Sequence, residues 1–465
     1  MIAGLSYNYE NNRCRDERMK RNLFTILIML LSLFLCDRSM AIELGGTGEI
    51  EIHGFMTQGY IYTNHNNFFA DTEKDGTFQF NEAGLNFSSD VSQRLRLGVQ
   101  FFARDLGQMG DMDVTIDWAY ADYSFYDWLK LRAGKVKLPY GLYNTERDVD
   151  MLRTFVLLPQ SFYYEGWRDS ANAMNGGGFY GYIPVGFIGN LEYQVYSGSA
   201  AVDPEGGVAR LLEDQTPLWM ELDVHAVDVE YTHAGQLTWD TVFGLDGLRF
   251  VTGAWSIEFD AHSTYNNGTV SPHFDPSTVT PNGDFTMATS ESVFHAKTFT
   301  KSLSMEWVVG NSVLAAEYTK NEYELTLPVE TTIAPSGTIG QKFDSVGWYG
   351  SVTHRFFDWF EVGAYYAEYY ADEDDKDGDK RAAEYVASGG LTGVPPTVKF
   401  NRWLKDTCLT TRFDLSANWL FKLEGHVMNG TALLYNDDGN VDATGMKIDY
   451  DEDWYMVAAK ITFSF

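Results

Sequence analysis

Cysteine, proline and positive charge are all scarce in this chain. Of 465 residues, three are Cys and 12 are Pro, and 34 Lys and Arg stand against 65 Asp and Glu, a net charge of −31. Acidity of that degree disfavours nucleic acid as a partner, because phosphates repel it. Cys14 and Cys36 lie in a segment that reads as removable, which leaves Cys408 without an intrachain disulfide partner. No base stands near Cys408 in sequence, and it reads as a small strand residue. Beyond residue 41 no stretch approaches 18 consecutive apolar residues, so no membrane-spanning helix is expected there. Neither G-x-S-x-G nor H-E-x-x-H occurs, and the nine histidines are scattered, so no hydrolytic constellation stands out and no enzyme is expected. Aromatic residues, by contrast, make up 15% of the chain, which speaks against disorder.

What is present begins with an export signal. The stretch "MKRNLFTILIMLLSLFLCDRSMA" opens at Met19 with Lys20-Arg21 and runs apolar from Leu23 to Cys36. Ser39-Met40-Ala41 then supplies small residues at the −3 and −1 positions of a signal-peptidase site. The run is short for a bilayer span, and Leu35, before Cys36, is too large for a lipoprotein site. We therefore expect residues 1–41 to be an upstream extension plus a signal cleaved near Ala41, and residues 42–465 to form one domain. Removing six basic and four acidic residues with the leader takes the net charge to −33.

Within 42–465 the dominant period is two. The chain stops on "WYMVAAKITFSF", where Tyr455, Val457, Ala459, Ile461, Phe463 and Phe465 share one face. Met456, Ala458, Lys460, Thr462 and Ser464 share the other. In "RLRLGVQFFARD" an apolar stripe of Leu95, Leu97, Val99, Phe101 and Ala103 opposes Arg94, Arg96, Gln100, Phe102 and Arg104. Val114, Ile116, Trp118 and Tyr120 oppose Asp113, Thr115, Asp117 and Ala119, and Leu129, Leu131 and Ala133 oppose Lys130 and Arg132. A strand that is apolar on one face and charged on the other suits a place between lipid and a wet lumen.

Short turns are expected near 88–92, 126–128, 184–187, 309–311, 356–359 and 416–418. Longer polar stretches lie at 64–75, 139–173, 199–221, 264–292, 321–342, 372–405 and 430–452. Short turns at one end and long loops at the other predict an all-β transmembrane antiparallel barrel of about 16 strands, with periplasmic turns and extracellular loops. The strands centre near 56, 83, 99, 119, 132, 179, 192, 229, 256, 301, 315, 350, 365, 411, 424 and 459. The eighth and ninth leave room for counts of fourteen or eighteen. Tyr60, Tyr62, Trp118, Trp128, Trp255, Trp307, Trp348, Trp359, Tyr365 and Trp454 tend to flank turns, as interfacial girdles do. A chain ending on a strand follows from closure, since the last strand must meet the first.

The final strand resembles the C-terminal signal of bacterial outer-membrane barrels, carried here by Tyr455, Ile461, Phe463 and Phe465. That resemblance implies the barrel-insertion machinery as a partner and a Gram-negative outer membrane, with its lipid and lipopolysaccharide, as the site. With "QFFARDLG", "LRAGKVKLPYGLYNTERDVD" and "LLPQS", the chain resembles the trimeric sixteen-stranded porins, most nearly the porin O/P-like group. The resemblance implies a homotrimer with no cofactor, passing small hydrophilic solutes, anionic ones among them, by diffusion. It also implies that the third long loop, 139–173, folds inward as a constriction carrying Glu146, Arg147, Asp148, Asp150, Arg153, Glu165, Arg168 and Asp169. The facing channel wall would carry Arg94, Arg96, Arg104, Lys130 and Arg132, a basic side opposite an acidic loop that sorts ions by sign.

Residues 373–384, "EDDKDGDKRAAE", space their acids as a calcium loop does, yet Lys380 stands at an apolar position and no helix is expected to flank it. The segment reads as a solvated outer loop, which with "NDDGN" and "DYDED" offers carboxylates for a divalent ion bridging lipopolysaccharide phosphates. No protein-held metal is expected. The alternative to a channel is a structural or adhesive barrel whose lumen is filled by loops.

Overall fold

The computed structural model describes residues 41–43, 49–107, 109–110, 112–204, 206–214, 222–241, 246–267, 288–329, 337–387, 396–435 and 450–465. The export signal lies outside the described residues except at Ala41, as does "NDDGN". A three-residue strand, β1 (Ala41–Glu43), pairs with the start of β2 (Glu49–Thr63). There follow β3 (Asn81–Ser92), β4 (Leu95–Asp105), β5 (Thr115–Tyr126), β6 (Leu129–Lys137), β7 (Ala173–Pro184), β8 (Asn190–Ala200) and β9 (Leu222–Asp240). The chain continues through β10 (Leu248–Asn267), β11 (Ala288–Val309), β12 (Ser312–Val329), β13 (Gly337–Phe357) and β14 (Phe360–Tyr370), and ends with β15 (Trp403–Asp414), β16 (Trp419–Gly430) and β17 (Asp453–Ser464). Each of β2 to β17 is antiparallel to both neighbours, and β17 pairs with β2, so sixteen strands close into a barrel. All sixteen expected centres fall inside these strands, the eighth and ninth included.

Closure is sealed at the last residue. Gly54 N–H donates to the Phe465 carbonyl at 3.2 Å, and Phe465 N–H returns to the Gly54 carbonyl at 3.0 Å. The alternation of β17 is visible in its burial. Trp454, Met456, Ala458, Lys460 and Thr462 point inward and are buried, while Tyr455 and Val457 are exposed on the outer, lipid face. Near the end Phe463 is covered by Trp419, ring centroids 5.0 Å apart.

Four local expectations are corrected. The first turn lies at 93–94, because β3 continues to Ser92. In β5 a register shift at Gln100/Phe101 sets Gln100 opposite Trp118 but Phe101 opposite Ile116. That bulge turns Trp118 and Tyr120 into the lumen, where they stack at 5.1 Å, and leaves Ile116 outside. Trp255, Tyr365 and Trp454 are likewise buried inward, so the outer girdle keeps Trp128, Trp348 and Trp359 but not these. Lastly, a helix, Asp379–Ala387, occupies the second half of the calcium-like segment. Asp375 caps it by accepting from the Lys380 and Arg381 N–H groups.

The strands are of two lengths. Those from β9 to β13 run 18 to 22 residues, where about 9–11 span a membrane. Their outer halves reach into stretches read as loops, 264–292 and 321–342. The ladder persists there, and beside those stretches outward-facing ion pairs interrupt the apolar stripe: Lys297–Glu258 at 2.9 Å, Lys301–Glu322 at 2.5 Å and Lys320–Asp344 at 2.8 Å.

Replacing Phe463 by alanine and removing Phe465 is expected to cost roughly 3 kcal/mol at the seam. The expected readout is a smaller heat-modifiable folded fraction on unheated gels. A folded fraction equal to that of the parent would refute a role for these rings in closure.

Candidate functional site: the loop inside the barrel

Between Lys137 and Ala173 the chain makes no strand. It forms short 3₁₀ turns at Asn144–Glu146, Asp150–Leu152 and Glu165–Trp167, and a single helical turn, Arg168–Ala171. Asn144 closes the root by donating its amide to the Leu138 and Ala171 carbonyls, at 3.1 and 2.7 Å. Gly141 has φ +62°, and a Cβ there would lie 2.6 Å or less from the Phe162 ring and the Glu317 carboxylate. The sharp entry therefore needs glycine.

The loop is packed against the inner wall at several points. Glu317 of β12 accepts from the Leu142 N–H at 2.9 Å and from the Tyr163 and Tyr349 hydroxyls at 2.6 Å each. Across the lumen, Asp150 meets Lys460 at 2.9 Å, Lys422 at 3.5 Å and Arg153 at 3.1 Å, and accepts from Thr462 at 2.8 Å. Both lysines and Asp150 are almost wholly buried. Glu424 of β16 accepts from the Val156 and Leu157 N–H groups, and Arg412 of β15 donates to the Met151 and Arg153 carbonyls. Thr154 donates to Glu361 of β14 at 2.5 Å. These anchors make the segment part of the barrel's interior.

The expected constriction residues fall into three groups. Arg147 and Arg104 share Glu165, at 2.6 and 2.8 Å, and Asp148 takes Lys137 at 2.5 Å together with Arg168. Asp150 and Arg153 belong to the wall contact just described. Glu146 is exposed, and Asp169 sits in the helical turn with its side chain outside the described residues. Among the expected wall residues, Arg132 is bidentate to Asp122, both bonds 2.8 Å, and lies between the Tyr120 and Tyr180 rings. Arg96 pairs with Glu51 at 3.1 Å and Asp90 at 3.6 Å. Arg94 and Lys130 have no carboxylate partner among the described residues. Glu317, Glu361, Arg412, Lys422, Glu424 and Lys460 escaped the sequence reading as site residues. Of these only Lys460 was set on the inner face by its parity, and nothing local named the loop as its partner.

The electrostatics follow from these pairs. Burial pushes the Glu165 carboxyl group up, but Arg147 and Arg104 outweigh it and hold the group at about 2. For Asp148 burial again opposes ionisation, yet Arg168 and Lys137 hold it well below the usual carboxylate range. A carboxylate depressed on folding contributes stability that is present above its ordinary value, roughly 4, and lost as pH falls through the folded value. The loop is therefore expected to resist pepsin at pH 4 and to become cleavable near pH 2. Cleavage already complete at pH 4 would contradict this.

Asp150→Asn leaves three cations facing a neutral amide in a buried site, a change of about 3–5 kcal/mol. The expected outcome is faster proteolysis confined to residues 138–172, with the barrel's heat-modifiable shift retained. Unchanged protection would show that Asp150 does not hold the loop.

No protein-family model matches the chain, and no curated protein matches it either. Solved structures do. One is an anion-selective porin from Comamonas acidovorans, at 11% identity and TM-score 0.51, covering 90% of this chain and 100% of that one. Another is in-vitro folded OmpT, an outer membrane protein of Vibrio cholerae, at 12% identity and TM-score 0.50, covering 91% and 99%. At such identity the likeness is one of fold. The closed barrel, its short and long connections and its structural neighbours agree: this chain has the fold of the sixteen-stranded outer-membrane porins.

Proposed function

We propose that this protein is an outer-membrane porin, assembled as a homotrimer after export, through which small hydrophilic solutes diffuse. The observation that carries the reading is the segment 138–172, threaded into a closed barrel and anchored to opposite walls. It narrows the lumen, and on its accessible side it presents Thr145, Glu146, Val149 and Leu152. Toward the short-turn end the wall is polar, with Glu51, Asp90, Arg96, Asp122 and Arg132 facing inward in pairs. Charges compensated in this way leave a weak field for sorting ions. Anion preference then depends on how many cations outnumber their carboxylates, and of the expected wall residues Arg94 and Lys130 are the two without carboxylate partners among the described residues.

A second reading, a barrel without an open conduit, draws on the packing above the loop. Phe68, Phe69, Leu106, Met109, Tyr164, Leu433 and Tyr435 come from several outer connections and form one apolar cluster inside the barrel. That cluster would act as a plug.

The deciding experiment is planar-bilayer recording under a KCl gradient. Stepwise conductance with a small reversal potential is expected. Arg132→Ala should move the potential toward cation preference, because it leaves Asp122 uncompensated in the lumen. Correctly folded barrel that gave no conductance would favour the plugged reading.

A further inference from the structure

Between the loop and the inner wall of β10 to β14 lies a cavity that the anchoring contacts do not use. Tyr140, Arg147, Phe162 and Trp167 line it from the loop, and Trp255 and Tyr323 from the wall. Two of its lining residues carry a donor that stands out. Arg147 Nε and Trp255 Nε1 are buried with no partner among the described residues, and both side chains are more than nine-tenths buried. An unpaired buried donor costs about 1–3 kcal/mol, so two lining one cavity point to something that accepts from them.

We propose that this cavity binds a small carboxylate of acetate size. The assignment concerns the same loop that narrows the lumen in the channel reading. A carboxylate brings two acceptor oxygens, one for each orphan N–H, and no donor of its own to satisfy. Two of the lining hydroxyls are already engaged: Thr300 donates to Asn321 at 2.8 Å, and Tyr140 donates to Thr319 at 3.0 Å. Water is the competing occupant, and a cavity that held water alone would give no saturable heat with acetate. The remaining Arg147 nitrogens are held by Glu165 at 2.6 Å, the Tyr163 carbonyl at 3.3 Å and Asn144 at 3.4 Å. The guanidinium is thus fixed in place, with Nε left over. Aromatic faces complete the enclosure, since Tyr140 and Phe162 stack at 4.7 Å and Trp255 meets Tyr140 edge-on at 6.2 Å. They suit a methyl or methylene group behind the carboxylate. The space open to the centre of a water molecule is about 30 Å³, enough for a few heavy atoms and too little for a sugar ring.

The test is calorimetric titration of the refolded barrel in detergent with sodium acetate, glycerol and sodium chloride in separate runs at constant ionic strength. Saturable acetate binding is expected, weakened at least fivefold by Trp255→Phe and unaffected by Trp307→Phe on the outer face. Thermal unfolding of the unmodified barrel gives a readout that needs no variant, and acetate should raise the midpoint where glycerol does not. Absence of acetate binding, equal or tighter binding of glycerol or chloride, or acetate binding indifferent to Trp255→Phe would each overturn the assignment. KCl conductance measured on the same preparation separates the two readings. Conductance without acetate binding removes the site and leaves the channel. Acetate binding without conductance does the reverse.

Discussion

In hydrocarbon there is no water to satisfy a backbone N–H or C=O, and the rest of this molecule depends on that constraint. A strand in the membrane must be paired along both edges, so a sheet that crosses lipid has to close. Here closure is the antiparallel pairing of β17 with β2, from Met456 opposite Thr63 to Ser464 opposite Phe55. Both ends of the barrel chain therefore lie at the short-turn end, and an even number of strands follows.

A closed barrel of sixteen strands encloses more space than its own side chains occupy, and what enters that space must settle its polar groups inside it. The segment 138–172 does so by exchanging charges with the wall. Asp150 faces Lys422 and Lys460, Glu165 faces Arg104, and Glu424 takes two backbone N–H groups. A buried charge without a partner is costly, and a buried pair with further hydrogen bonds is tolerable. The same reasoning applies nearer the short-turn end, where Arg132 is held by Asp122 and two tyrosine rings. Charges that in sequence look like a field across a pore are, in space, mostly joined to one another. They fix the position of the loop, and what remains for solutes is the smaller set of groups left over.

Much of the fold was legible because lipid and lumen impose a strict period of two. Lys460 could be placed on the inner face, and Tyr455 and Val457 on the outer, from parity alone. Parity failed at Asp117 and Trp118, where one extra residue in β5 inverts every later assignment up the strand. It faded in the long strands β10 to β13, whose outer faces carry ion pairs in place of an apolar stripe. There Lys297, Lys301 and Lys320 interrupt the apolar stripe although the ladder continues. The polar stretches next to them, 264–292 and 321–342, read as loops, since hydropathy records the solvent and not the hydrogen bonding.

The sequence by itself determined the barrel, its closing strand, the alternation of its faces and the existence of one long connection after β6. Each of these is local: a period, a turn, or a run without a period. Which wall residues meet that connection was decided only by tertiary structure. Glu317, Lys422, Glu424 and Lys460 lie about 150 to 320 positions further along the chain, and their contact with residues 142–163 exists only once sixteen strands have curled into a cylinder. The cavity beside Trp255 and Arg147 has the same origin. Neither residue carries a local signal, and the two came to line one space because the barrel wall and the inserted loop met there.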